Sequence, residues 1–175
     1  EDELNAEIDK LNKPSLLSKI YNFVSTGTAR PNAKSSQDGE AKGYKYKVRY
    51  QYAPLRVSPN SRDFCKRMVA AKKIYRKEDI DMMSKLPVNK GWGPEGADTY
   101  DIWLYKGGGD CHHFWMRKTY RAKSTNVDVK NPNAEVSVNK AKKEGFKPEV
   151  NDKKVAKRPT DMPYNGFLPT NKRFN

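Results

Sequence analysis

The chain has 175 residues, 35% of them hydrophobic and 32% charged, with a mean hydropathy of −1.01 and a net charge of +14. That polarity excludes one large core running through the whole length and predicts a small core with long polar extensions. No apolar run reaches membrane-spanning length, two cysteines are too few for a disulfide framework, and the basic balance points to an acidic partner: nucleic acid, an anionic protein surface or a lipid headgroup layer.

The charge is uneven. Residues 1–13 carry a net −3, residues 123–175 a net +6, and the remaining +11 falls on the middle of the chain. Glu1-Asp2-Glu3 is the reverse of the basic start of a secretion signal, and the absence of an initial Met is expected of a processed product or a part of a longer chain. Within residues 1–25, Leu4, Ile8 and Leu11 form one narrow helical stripe. After Pro14, Ser15 can cap a second helix with Leu16, Leu17, Ile20, Tyr21 and Val24 on its apolar face. Such amphipathic helices rest either on the protein's own core or in a partner's groove. Residues 26–43 are small, polar and aperiodic, and read as a linker.

The clearest strand is Tyr44 to Tyr52, "YKYKVRYQY", in strict alternation. Tyr44, Tyr46, Val48, Tyr50 and Tyr52 share one face, while Lys45, Lys47, Arg49 and Gln51 share the other. The simplest expectation buries the tyrosines and solvates the basic residues. A second makes Lys45, Lys47 and Arg49 a phosphate-contacting stripe for nucleic acid. The next segment reads as a helix capped by Ser61, with Phe64, Cys65, Met68, Val69 and Ala71 inward, followed by a short helix with Glu78 and Asp79 in its first turn. Residues 86–99 form a Gly/Pro loop, "YDIWLYK" reads as a second strand with Tyr100, Ile102 and Leu104 on one face, and "CHHFWMRKTYRA" as a third. Together they predict an α+β fold: a small mixed unit over 44–122 with about three strands and two short helices. Residues 123–175, rich in Lys, Asn and Pro, read as an extended basic arm ending in an anchor of Met162, Tyr164, Phe167 and Leu168.

Chemistry concentrates in "YKGGGDCHHFW". In a strand Cys111 and His113 point the same way, so both can face Cys65 on the preceding helix. These are three candidate zinc ligands where a closed site wants four. Zinc, a Cys65–Cys111 disulfide, or packing of two buried thiols and a core histidine could each close the group. His112 points to the opposite face, and Lys106 to Asp110 make the turn. "GGGD" is not a P-loop, because Lys106 precedes the glycines and no helix follows. No serine sits in a nucleophile elbow, and capping suffices for Glu78, Asp79 and Asp81. An enzyme is not expected.

The order of "YKYKVRYQY", "NSRDFCKRMVAAKKIYRKEDIDMMS", "GADTYDIWLYKGGGDCHHFWMRKTYRAK" and "RPTDMPYNGFLPTN" resembles a region of virion structural proteins of tailed Bacteroidetes phages, crAss-like phages among them. More distantly it resembles the carboxy-terminal motif of Mu F-like minor head proteins. The likeness rests on Ser61, Arg62, Cys65, Gly107, Gly108, Cys111, His113 and Trp115. It implies a structural protein of the phage head or portal region, assembled in the host cytoplasm into a multi-copy particle. Its partners would be capsid, portal or ring subunits gripped by extended arms, with packaged DNA as a further partner and no membrane. It also implies that Cys65, Cys111 and His113 act as one group. The alternative is an internal protein packaged with the genome and bound to it through basic charge.

Overall fold

The computed structural model describes residues 25–55, 58–123, 126–148 and 154–155; the amino-terminal helices and the terminal anchor expected from the sequence lie outside them. The fold is α+β. Its centre is a long antiparallel ribbon of β2 (Tyr44–Pro54) and β4 (His113–Ala122), paired from Lys45 opposite Ala122 to Pro54 opposite His113. β1 (Gly39–Ala41) and β3 (Ile74–Tyr75) pair with β2, and β5 (Glu135–Val136) and β6 (Lys154–Val155) with β4, giving six strands in one sheet. Both central strands therefore have neighbours on their outer edges, which reduces the open backbone available for mispairing.

Period-two alternation puts Tyr46, Val48, Tyr50, Tyr52 and Trp115 on one face, all 3% exposed or less. α1 (Asp63–Ala71), α2 (Lys77–Met83) and α3 (Ile102–Tyr105) contribute Phe64, Cys65, Met68, Ile80, Met83 and Ile102 to the same core. The rings meet mainly edge to face, the arrangement their quadrupoles favour. Trp115 stands 5.1 Å from Tyr52 and 5.7 Å from Tyr75, and Tyr50 stands 4.7 Å from Trp103.

Four expectations are corrected. "YDIWLYK" is not a strand: Asp101 caps α3 by accepting from the backbone N–H of Leu104, and Ser84 Oγ accepts from that of Ile102. Arg62, not Ser61, occupies the N-cap of α1, and Ala71 at its end is exposed. The stretch 26–43 is more than a linker, because it holds β1 and a segment bonded across the sheet. Finally, 126–148 is folded onto the body rather than extended. Ser137 caps α4 (Val138–Lys143), Ala141 is buried, and Phe146 stacks on Tyr46 at 4.4 Å.

The reverse face of the sheet is covered too. Tyr120, Val127, Val129 and Ala134 form a second small core with Ile74 and Ala122 packed against it. Asn32 joins the two covering segments, donating from Nδ2 to Asp128 and accepting from the backbone N–H of Val129.

Candidate metal centre

Cys65, Cys111 and His113 come from three places, the first turn of α1, the end of the glycine loop and the first residue of β4, and the fold brings them together. Their exposures are 1%, 4% and 7%, and their ligand atoms all lie within 4.8 Å of one another. Sγ of Cys65 and Sγ of Cys111 are 3.9 Å apart, and Cys111 Sγ is 3.5 Å from His113 Nδ1. Both cysteines are free thiols, with their sulfurs far beyond the bonded distance of about 2.05 Å.

The loop is shaped for this approach. α3 ends at Tyr105, and Lys106, Gly108 and Asp110 then all take positive φ, turning the chain back toward α1. A Cβ on Gly107 would stand 2.3 Å from Cys65 Sγ and 3.2 Å from Cys111 Sγ, so only a residue without a side chain fits between them. Arg62 donates to the carbonyl of Gly109 while its guanidinium lies over Trp92 at 4.2 Å, tying the start of α1 to the loop. Asn89 Nδ2 donates to the carbonyl of Gly107, and Tyr100 donates to that of Lys106.

Tyr52 completes the group. Its hydroxyl is 3.2 Å from Cys65 Sγ and 3.6 Å from Cys111 Sγ, and its ring stacks on His113 at 5.0 Å. Burial, with the two sulfurs adding to it, holds the phenol well above its ordinary value, so it stays neutral. The Cys111 thiol is held well below its ordinary value. The hydrogen bond from Cys65 is the largest cause, burial opposes it, and the His113 contact adds to the lowering. Cys65 is pushed up by that same bond and by burial. Lys106 is wholly enclosed beside the group and donates to the carbonyl of Leu104; burial lowers its ammonium to about 8, against the pull of Cys111.

A pocket of 240 Å³ opens onto Cys65 and His113 beside Pro54, Ser58, Ser61 and Val69. His112 lies outside the group, paired with Asp110 at 3.4 Å and with its side chain 36% exposed. Sequence reasoning put Cys111 and His113 on one strand facing Cys65; the three do meet, but β4 begins at His113 and the glycine loop brings Cys111 in, and Tyr52 was missed as a partner. The register that sets Tyr52 opposite Trp115 and Pro54 opposite His113 is the missing information, and neither strand encodes it alone.

Of the expected phosphate stripe, Arg49 is corrected. Arg49 is wholly buried: Nε donates to the carbonyl of Pro31 at 2.6 Å, Nη2 to that of Ala33 at 2.8 Å, and both terminal nitrogens hold the carboxylate of Asp38. Its guanidinium is spent inside the protein. Lys45 pairs with Glu40, and Lys47 donates to the carbonyl of Asn32 at 2.6 Å.

Among the described residues no helix is long and apolar enough to cross a membrane. Comparison of the chain with protein-family models, curated proteins and solved structures finds no match in any of the three.

Proposed function

We propose that the chain is a structural, non-enzymatic protein of a phage head or portal region, holding neighbouring subunits through its terminal segments. One observation carries the structural half of this reading: the side chains able to do chemistry are used as internal cross-links. Cys65, Cys111 and His113 tie helix, loop and strand together behind Tyr52. Arg49 with Asp38, and Arg76 with Asp79, tie the segment 30–38 to the sheet and to α2. The exposed charge includes Lys66, Lys72, Lys85 and Lys142, suited to acidic neighbours. The virion half rests on the likeness of the Cys65 helix, the glycine loop and the closing strand to tailed-phage structural proteins.

The test uses particles of the phage that encodes the chain, purified and treated with nuclease after genome release. The chain should remain with the emptied particles in fixed stoichiometry to the portal or capsid subunit. Complete absence from particles overturns the reading, and loss together with the released DNA replaces it with an internal genome-binding role.

A further inference from the structure

The geometry points to a zinc ion held by Cys65 Sγ, Cys111 Sγ and the imidazole of His113, with the hydroxyl of Tyr52 donating to the coordinated sulfurs. The distances carry it. A tetrahedral zinc with bonds of about 2.3 Å to sulfur and about 2.0 Å to nitrogen sets its ligand atoms about 3.8 Å apart for two sulfurs and about 3.5 Å apart for sulfur and nitrogen. The protein holds the corresponding atoms at 3.9 Å and 3.5 Å. Two of the three edges therefore match a tetrahedral site, and the ligand atoms of the remaining pair, Cys65 and His113, lie within 4.8 Å.

Three further features support a built site. Gly107 removes the one side chain that would block the approach of the two sulfurs. Tyr52 supplies the donor to sulfur that orients and stabilises thiolate ligands in metal centres. The pocket beside Ser58 and Ser61 reaches Cys65 and His113 from outside, providing both a path for the ion and room for a water at the fourth position. In charge terms the binding is balanced: each thiol gives up its proton to solvent, and the two thiolates neutralise the dication in a site that could not hold two bare anions.

The inference is independent of where the protein resides. Its test takes the full chain, purified with reductant, stripped with chelator and titrated first with Co²⁺ and then with Zn²⁺. One equivalent of cobalt should develop the intense visible bands of a tetrahedral ion together with thiolate-to-cobalt charge transfer, and zinc should displace it. Cys65→Ser, Cys111→Ser and His113→Ala should abolish the bands. His112→Ala should keep them, and Tyr52→Phe should keep them with a shifted charge-transfer band. Should the ligand variants fail to fold, the wild-type chain decides: zinc should protect both thiols from alkylation, and chelator should expose them. A spectrum of six-coordinate cobalt only, or thiols that react equally with and without zinc, overturns the site.

Discussion

The two faces of the central ribbon are closed by different chemistry. One is largely aromatic: Tyr46, Val48, Tyr50, Tyr52 and Trp115 pack against three helices beside the buried Arg117 and Thr119, and the thiol and imidazole groups sit at its edge. The other carries Arg49 and Lys47 beside Tyr120 and is closed by the segments 30–38 and 126–134, largely through hydrogen bonds to backbone carbonyls. Burial on the first face is driven mainly by area. Burial on the second depends on every polar group having its partner, since an enclosed charge left unpaired costs far more than a lost apolar contact. One ribbon therefore contains a robust side and a conditional side.

The most damaging way to break that contrast is on the robust side. Trp115→Ala removes the ring that Tyr52, Tyr75 and Trp103 contact and should cost about 4 kcal/mol, read as a lower urea midpoint. On the conditional side, Asp38→Ala leaves the Arg49 guanidinium enclosed without its carboxylate and should cost about 3 kcal/mol. Replacing Arg49 and Asp38 together by a Met and Leu pair should recover much of that loss; equal loss in the single and the double variant would mean that the ion pair is not what closes this face. Gly107→Ala drives a methyl into both sulfurs and should cost about 2 kcal/mol, with faster alkylation of Cys65 as the local readout.

The smallest effect is a matter of pH. Burial raises the Glu78 carboxyl, but hydrogen bonds from the backbone and hydroxyl of Ser36 and from the hydroxyl of Ser35 outweigh it and hold it below its ordinary 4.5. The stabilisation is therefore complete above pH 4.5 and is lost as pH falls through the lower folded value. Glu78→Gln should flatten the acid limb of the stability profile, measured by urea unfolding at stepped pH, and leave Trp115 packing untouched. An unchanged acid limb would show that this carboxylate does not help hold 30–38.

The same contrast explains what could be read without coordinates. On the robust side Tyr44 to Tyr52 was legible because alternation is a local pattern, whereas His113 to Ala122 was not, because Trp115 shares its face with Arg117 and Thr119 and only pairing with β2 shows that this face is the core. Nor was the conditional side legible. Val127, Val129 and Ala134 are too sparse to form any period, yet each fits a surface already made by the ribbon. Arg49 looks like an ordinary solvated position until Pro31, Ala33 and Asp38 are folded over it. α3 was misread for a related reason, since four residues cannot distinguish periods and its capping contact with Ser84 is remote in sequence.

Asn32 has a further consequence, for the time course of synthesis. It meets Val129 across 97 residues of chain, so the junction between the two covering segments cannot close until the second has been made. At ribosomal speeds of roughly 5–20 residues per second, Asn32 waits on the order of 5–20 s for that partner. Arg49 does not wait in the same way, because Pro31, Ala33 and Asp38 all precede it in the chain. The arginine bolt is thus supplied early in synthesis, and the outer half of the cover is added last.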